Sequence, residues 1–341
     1  MGRHKLSKSL IQQVKENLDS KLAIGESKYM AKKDGTYTQH IYSWDTYRSY
    51  LKHCCYFVKW CKAQPIDPTL GHKPRTIAEC RRFAEKWIQS TMDRGLSAYT
   101  VKLELSSLAK LYGCKTTDFA IVTPPRKRQN ITRSRGNAVR DKHFSVENNK
   151  DIITFCKCTG LRRAELAQIR GTDLIVHEGR LCLDIKRGTK GGRLRISPVI
   201  GSEEEIEMVK NFCIAAGDNK VFPKPSENAD IHSYRAVYAQ RIYELNKREY
   251  KDFRDEILII HKGKFIDSYK TKNDKASNPY FHLTEKGKYA LIKGYKTVSS
   301  VYYCRNDQKG KIFDRKALLE ASLALGHGRI GVISAHYLNN I

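Results

Sequence analysis

Apolar residues recur at helical spacing across residues 41–120, and this spacing constrains the fold more than any other feature of the sequence. In TYRSYLKHCCYFVKWCK they return every third or fourth position from Tyr47 to Cys61. Because side chains at these separations share one face of an α-helix, the segment predicts an amphipathic helix. TIAECRRFAEKWIQSTMDRG has the same spacing after the capping-box pair Thr76 and Glu79, and LSAYTVKLELSSLAKLYG predicts a third helix. We therefore expect a small all-helical domain over residues 41–120.

The segments on either side of this domain are polar and basic. Residues 1–40 predict an N-terminal basic arm that could begin with a short helix. Residues 121–141 predict a linker, because Pro124 and Pro125 interrupt regular structure and no acidic residue occurs between 121 and 140. A basic linker is suited to lie along a phosphate backbone. The residues of the linker that we expect to contact DNA are Arg126, Lys127, Arg128, Arg133 and Arg135.

Residues 142–341 predict a second domain of mixed composition. Helical patterns alternate with three short strand patterns, LIVH, LCLDI and RLRISPVI, which are separated by the turn sequences EGR and GTKGG. The pattern blurs over 246–312, where 16 Lys and Arg face 8 Asp and Glu. We interpret this stretch as an insertion, either a tolerated surface elaboration or a module that contacts DNA or another subunit. The fold class predicted is mainly α with a small antiparallel β-sheet, in two domains.

The charge of the chain narrows the class of partner. Lys and Arg number 63 and Asp and Glu 36, which gives a formal net charge of +27. Such an excess favours a polyanion, with nucleic acid first and an anionic membrane second. A basic protein without an anionic partner is the plainer alternative. No apolar run approaches the roughly 18 residues that span a bilayer, so we expect no membrane association.

The N-terminus and the cysteines indicate the compartment. MGRHKLSKSL lacks the apolar core of a signal peptide, and the ten cysteines form no CxxC pair. We therefore expect no zinc site and no other metal, free thiols in a reducing compartment, and a cytoplasmic, nucleoid-associated protein.

Six residues at the edges of the second domain's elements could act together on a phosphodiester. Arginine forks bind its non-bridging oxygens, and histidine donates hydrogen bonds or moves protons. Lysine can protonate a leaving alkoxide, and tyrosine can form a covalent phosphotyrosine without metal or ATP. Each residue alone is weak evidence, since an isolated basic residue is usually a surface residue. The six are Arg162, Lys190, His232, Arg235, His327 and Tyr337.

The sequences around two of these residues resemble motifs of the tyrosine recombinase (phage integrase) family. CTGLRRAELAQIRGTDL resembles the first signature, which identifies Arg162 as the first catalytic arginine and Glu165 as its supporting acid. Arg163 is then a DNA backbone contact or a solvated charge. GTKGGRLRISPVI resembles the family's β-hairpin, Gly-Lys-Gly running into Arg-x-x-Pro, and identifies Lys190 as the catalytic lysine. Lys186 and Arg187 compete for that role.

The other two motifs lie further along the chain. IHSYRAVYAQRI resembles the HxxR signature and gives His232 and Arg235. LALGHGRIGVISAHYL resembles the closing signature and gives His327 and the nucleophile Tyr337. The resemblance covers about 142–341. The helical region 41–120 matches the family's core-binding domain in size and position only.

Two spacings depart from the family's pattern. Tyr337 follows His327 by ten positions, one more than is common, and 92 positions separate Arg235 from His327. The long separation coincides with the insertion at 246–312.

The resemblance implies a site-specific DNA recombinase or integrase that forms a 3′-phosphotyrosyl intermediate. Tyr337 would attack the scissile phosphate, and Arg162, Arg235 and His327 would stabilise the transition state. Lys190 would act as general acid, and His232 would assist phosphate contact or proton transfer. It also implies duplex DNA as partner, a homo-tetramer on DNA with a dimer on each site, a possible accessory directionality factor, and no cofactor.

Two other functions stay open at this point. One is a type IB topoisomerase-like enzyme that nicks and reseals DNA, and the other is a non-catalytic DNA-binding relative. The sequence leaves the DNA site undefined. The insertion favours a mobile element over a chromosome-dimer resolvase.

Overall fold

The computed structural model describes residues 8–127, 144–271, 273–305 and 309–338. The chain divides into two compact units, Met1–Asn130 and Ile131–Ile341. Arg128, Arg133 and Arg135, three of the predicted DNA contacts, lie outside the described residues.

The first unit is helical and has its own apolar core. Phe57, Ile88 and Leu108 lie at its centre and are fully buried. A 3₁₀ turn at Arg81–Phe83 splits the helix predicted over 76–95 in two, although the Thr76 capping box forms as expected. The helices are α1 Leu10–Asp19, α2 Lys28–Lys33, α3 Trp44–Ala63, α4 Ile77–Cys80, α5 Ala84–Asp93 and α6 Ala98–Tyr112.

Helix α1, which lies within the predicted N-terminal arm, packs in the core of the first unit. Leu10, Val14 and Leu18 recur at helical spacing on α1 and are buried in the same core as α3 and α6. Lys21 donates hydrogen bonds to the carbonyls of Lys110 (2.7 Å) and Leu111 (2.8 Å) at the end of α6. Residues 10–21 therefore belong to the helical unit, since removing them would expose apolar side chains.

The second unit combines helices with small antiparallel sheets. Its helices are α7 Lys150–Thr159, α8 Arg163–Leu166, α9 Glu203–Ala216, α10 Ile231–Asn246, α11 Tyr250–Phe253, α12 Asp274–Ser277, α13 Arg315–Ala324 and α14 Ile330–His336. Its strands are β1 Leu174–His177, β2 Arg180–Ile185, β3 Arg195–Pro198, β4 Ile257–His261, β5 Lys264–Tyr269, β6 Phe281–Leu283, β7 Tyr289–Leu291, β8 Tyr295–Ser299, β9 Val301–Tyr303 and β10 Ile312–Asp314.

The strands of the first sheet are in chain order, whereas the sheet β5-β4-β8 is not. The described residues form four sheets, β1-β2-β3, β5-β4-β8, β6-β7 and β10-β9, in which every pairing is antiparallel. The first is the sheet predicted from LIVH, LCLDI and RLRISPVI. The other three lie in or beside the predicted insertion and add to the one sheet that was predicted.

One arginine holds the two ends of the inserted strands together. Arg248 donates hydrogen bonds to Asp314 (2.8 Å), Glu256 (2.7 Å) and Ser300 (2.9 Å). Asp314 is also the N-cap of α13 and accepts from the Lys316 amide. The insertion therefore leaves and rejoins the helical framework at one polar cluster.

Gly160 sets the junction between α7 and α8. It ends α7 with a φ of +60°, and a Cβ there would lie 2.2 Å from the ring of Tyr238 on α10. Only glycine combines this left-handed backbone with so close an approach. Arg162, two residues later, is the N-cap of α8, and its side chain reaches the carbonyl of Leu325 at the end of α13. No helix in the described ranges is both long and apolar enough to span a bilayer.

Candidate active site

The site is built around the buried carboxylate of Glu165. Its Oε1 accepts hydrogen bonds from Arg162 Nη1 (2.6 Å) and Arg195 Nη1 (2.7 Å), and its Oε2 accepts from Arg195 Nη2 (2.8 Å). The Arg162 amide donates to the same Oε2 at 2.7 Å. Glu165 is 1% exposed, so it is buried with two guanidinium groups fixed against it.

The carbonyl of Leu325, just after α13, joins the two predicted catalytic arginines. Arg162 Nη2 donates to this oxygen at 3.2 Å, and Arg235 Nη2 donates to it as well. Arg235 Nη1 donates to the carbonyl of Gly160. Arg162 at the start of α8 and Arg235 on α10 therefore meet at one backbone oxygen.

One donor of Arg235 has no acceptor. The residue is 1% exposed, and within the described residues its Nε is a buried group without a hydrogen-bond partner. An unsatisfied buried donor costs roughly 1–3 kcal/mol, more for a charged group. The guanidinium therefore has one donor left for a further acceptor.

Tyr337 and His327 meet beside these arginines. His327 Nε2 lies 3.0 Å from the Tyr337 hydroxyl oxygen and 3.4 Å from Arg235 Nη2. An arginine can only donate, so we assign the imidazole lone pair to Nε2, and the Tyr337 hydroxyl then donates to it. Tyr337 is 7% exposed, and its own carbonyl accepts from Gln240 on α10 (3.2 Å).

Burial lowers the pKa of both His327 and Arg235, but only His327 becomes neutral at pH 7. Burial, and then the charges of Arg235 and Arg162, lower the pKa of His327 from 6.5 to about 3. Burial opposes ionisation of Glu165, but the hydrogen bond and charge of Arg195 outweigh it and lower its pKa to about 2. Burial lowers the pKa of Arg235 to about 10, partly countered by the neighbouring Tyr337. At neutral pH the cluster therefore concentrates positive charge around a neutral base.

The predicted residues Lys190 and His232 differ from this cluster in exposure. Lys190 is exposed on a 3₁₀ turn, Lys190–Gly192, between β2 and β3. His232 is exposed on the first turn of α10, three residues before Arg235. The hydrogen bonds described above thus join Arg162, Arg235, Glu165, His327 and Tyr337, while Lys190 is held on a surface turn of the same unit.

The two competitors of Lys190 are paired with carboxylates. Lys186 lies 2.7 Å from Asp184, and Arg187 binds Asp173 and the carbonyl of Gln168 (3.3 Å). These pairings favour Lys190 as the basic residue of this turn that is available to a substrate.

The predicted DNA contacts have mixed surroundings. Arg163 donates to the carbonyls of Ser226 (2.6 Å) and Ala229, so two of its donors are used within the protein. Arg126 lies over the ring of Tyr99 in the first unit, 5.7 Å from its centroid, and Lys127 is exposed.

Sequence reasoning gave no role to Arg195 and Arg193. Arg195 binds Glu165 with two donors, and its Nε donates to the carbonyl of Ala324 (3.0 Å). Arg193 Nη1 donates to the carbonyl of His327 at 2.9 Å. The signal for Arg195 was present in the Arg-x-x-Pro of the hairpin, but its partner lies 30 residues away in sequence.

Solved structures similar to this chain include two of a transposon integrase and one of a site-specific recombinase. An integrase fragment of the Tn1549 transposon with circular intermediate DNA shares 12% identity, at a TM-score of 0.35, over 70% of this chain and 88% of that chain. A variant of that integrase with transposon right end DNA shares 13%, at 0.34, over 71% and 88%.

The third is the XerH site-specific recombinase bound to a palindromic difH substrate in a post-cleavage complex. It shares 16% identity, at a TM-score of 0.35, over 71% of this chain and 88% of that chain. No model of a known protein family and no curated protein matches the chain.

Proposed function

We propose that this chain is a site-specific DNA recombinase that cleaves and rejoins duplex DNA through a 3′-phosphotyrosyl intermediate. One observation carries the proposal: the Tyr337 hydroxyl donates to a neutral histidine that lies against a buried arginine with an unsatisfied donor. A nucleophile, a proton acceptor and an anion site within one cluster are the parts that phosphoryl transfer to tyrosine needs.

In the cleavage step, Tyr337 Oη forms a bond to the scissile phosphorus while the bond from phosphorus to the 5′ oxygen breaks. The Tyr337 proton passes to His327 Nε2, and the 5′ oxygen takes a proton from Lys190. Arg162 and Arg235 bind the non-bridging oxygens, whose negative charge grows in the transition state. Rejoining is the reverse step, with a 5′-hydroxyl attacking the phosphotyrosine.

The charges of the cluster are suited to these reaction steps. Burial, and then the positive charge of Arg235 and Arg162, keep His327 neutral, and the same positive charge stabilises a developing phenolate on Tyr337. A phosphodiester anion bound between the arginines offsets part of that charge, and the imidazole then accepts a proton more readily. Substrate binding would thus activate the base. The arginines would take the place of a metal ion, and the phosphotyrosyl bond would retain the energy of the broken phosphodiester, so no ATP is needed.

Strand exchange requires two duplexes. We therefore propose a homo-tetramer on DNA with a dimer on each site, and we place the protein in a mobile genetic element because of its long insertion. An accessory directionality factor fits the same scheme. His232 would contact the phosphate or assist proton transfer.

The test uses nicked duplexes with a random sequence around the nick, incubated with the full chain in EDTA. A nick just beyond the cleaved bond lets the short 5′-hydroxyl fragment diffuse away, so the covalent complex accumulates. Wild-type protein should give a covalent band on a denaturing gel, and Tyr337→Phe should reduce it by at least about 10³-fold because no other group replaces the nucleophile. Tyr303→Phe, at an exposed tyrosine of the same unit, should leave it unchanged.

The outcomes separate the alternatives. A band that survives Tyr337→Phe would place the nucleophile elsewhere. Tight DNA binding without a band at any sequence would support the non-catalytic relative. Relaxation of supercoiled plasmid without joining of two duplexes would support the topoisomerase-like enzyme.

A further inference from the structure

The β6-β7 hairpin of the insertion has an apolar face, and part of this face extends beyond the neighbouring sheet on which the hairpin rests. In its register Phe281 pairs with Leu291, and Leu283 pairs with Tyr289. Residues two apart on a strand share a face, so the two pairs lie on the same face of the ribbon. Phe281 packs edge-on against Tyr269 of β5 (5.5 Å between centroids), so the first pair rests on the neighbouring sheet.

The second pair extends toward the tip and is solvent-exposed. Leu283 is 61% exposed and Tyr289 is 42% exposed. The turn that follows is ordered, because the Thr284 amide donates to the carbonyl of Lys288 at 2.8 Å and the Lys288 amide donates to Thr284 Oγ1. The tip therefore presents a leucine and a tyrosine side by side on a defined ribbon.

The turn at the tip carries the exposed residues Glu285, Lys286 and Lys288, and two other carboxylates of the module are used within it. Asp267 accepts from Asn278 (2.9 Å), and Asp274 accepts from the amides of Lys270 and Thr271 (2.8 Å each). Glu285 is the other acidic residue between 257 and 299. The exposed lysines of that range are Lys262, Lys264, Lys270, Lys286, Lys288, Lys293 and Lys296.

This combination selects DNA over a second protein. A two-stranded antiparallel ribbon fits the major groove of B-DNA, and apolar side chains can contact a thymine methyl group there. Lysines at the tip would meet the phosphates on either side of the groove. A second copy of this chain carries the same net charge of +27, so the lysines would oppose its docking.

We propose that the β6-β7 hairpin is a second DNA-contacting element that enters a groove of duplex DNA away from the scissile phosphate. Leu283 and Tyr289 contact base edges, and Lys286 and Lys288 contact phosphates. The inference rests on the proposed function only in taking duplex DNA as the partner. The hairpin then contributes both to the affinity for duplex DNA and to the preference for particular DNA sequences.

The test compares wild-type protein with a Lys286→Gln, Lys288→Gln double variant by fluorescence anisotropy on duplex DNA over a range of salt concentrations. Each phosphate contact contributes about 0.9 to the slope of log affinity against log salt, so the slope should fall by about 2. A Lys210→Gln, Lys220→Gln variant removes the same charge elsewhere in the unit and should keep the wild-type slope.

A second variant, Leu283→Ser with Tyr289→Ser, tests base contact. It should keep the thermal unfolding midpoint, because both side chains are exposed, and should lose one protected tract in a hydroxyl-radical footprint. Equal salt slopes for the two lysine variants, with an unchanged footprint for the serine variant, would overturn the proposal. Loss of self-association with unchanged DNA binding would overturn it in favour of a subunit contact. Neither assay needs cleavage, so failure of the hairpin and failure of Tyr337 chemistry are distinguishable.

Discussion

Two parts of the candidate site differ in how firmly the fold holds them. Arg235 and Glu165 are each 1% exposed and are fixed by hydrogen bonds to α7, α8 and the end of α13. Lys190 is exposed on a short turn. The charges that would stabilise the transition state are therefore preorganised, whereas the proposed proton donor is on the surface.

The difference follows from what each group must do. Oriented charge is effective because it needs no reorganisation during the reaction, and burial between fixed dipoles provides that orientation. A general acid must reach the leaving oxygen only after DNA is bound, so a surface turn can position it late. Substitutions in the buried part should therefore disturb folding and chemistry together, and those on the turn should disturb chemistry alone.

The largest effect among the variants that test this contrast is expected for Lys190→Ala. General acid catalysis contributes about 10²–10⁴-fold, so cleavage should slow by about 10² or more, with an unchanged unfolding midpoint. A substrate with sulfur in place of the bridging 5′ oxygen has a leaving group that needs no proton, and it should restore the rate.

The control for that variant is Lys186→Ala, whose side chain pairs with Asp184. It should cleave at close to the wild-type rate. A slow Lys186→Ala whose rate the sulfur substrate restores would transfer the general acid to Lys186.

A smaller effect is expected for Arg195→Lys, which tests the buried part. Lysine keeps the charge but cannot donate two parallel hydrogen bonds to Glu165, so Arg162 loses its alignment. We expect the single-turnover cleavage rate to fall by about tenfold, a change that corresponds to about 1.4 kcal/mol, with unchanged DNA affinity.

Arg195 acts as a positioning residue in this scheme, so its effect should depend on Glu165. Combined with Glu165→Gln, Arg195→Lys should add little further loss in rate, as expected for residues in one network. Arg180→Lys, at an exposed arginine on β2 of the same sheet, should have little effect. Fully additive losses would show that Arg195 acts independently of Glu165.

The smallest effect concerns pH and stability. His327 has a folded-state pKa of about 3 against an ordinary 6.5, so between these values the unfolded chain binds a proton that the folded chain does not. Its stabilising contribution is complete above pH 6.5 and declines as the pH falls toward 3. Allowing for solvent screening, the free energy of unfolding should fall by about 1 kcal/mol more in wild type than in His327→Gln between pH 6.5 and 5. Parallel urea titrations of the two proteins at each pH measure this difference, and identical pH profiles would contradict it.

Much of the fold could be predicted where local pattern and tertiary environment agree. The capping box at Thr76, the helix end at Gly113 and the strands β1 to β3 all occur as the sequence indicates. In each case a capping or turn residue lies where the spacing of apolar residues begins, ends or changes, so the local signals agree with one another.

Other features depend on contacts that sequence pattern does not encode. The insertion folds into strands of three to six residues, whose alternation is too brief to stand out from a loop. The burial of α1 depends on a core supplied by α3 and α6. Among the site residues, Arg195 acquires its role only when β3 meets α8, since its partner Glu165 is distant in sequence.

The shared acceptor at Leu325 has a consequence for how the site tolerates change. The oxygen that receives both Arg162 and Arg235 belongs to the main chain, so any amino acid at position 325 supplies it. A substitution at position 325 therefore keeps the acceptor. The position of the backbone at the end of α13 determines how the two arginines are aligned with each other. Replacing the amide bond after residue 325 by an ester leaves this carbonyl in place but weakens it as a hydrogen-bond acceptor. Such an exchange would test the contribution of this one oxygen to the alignment, which side-chain substitution cannot do.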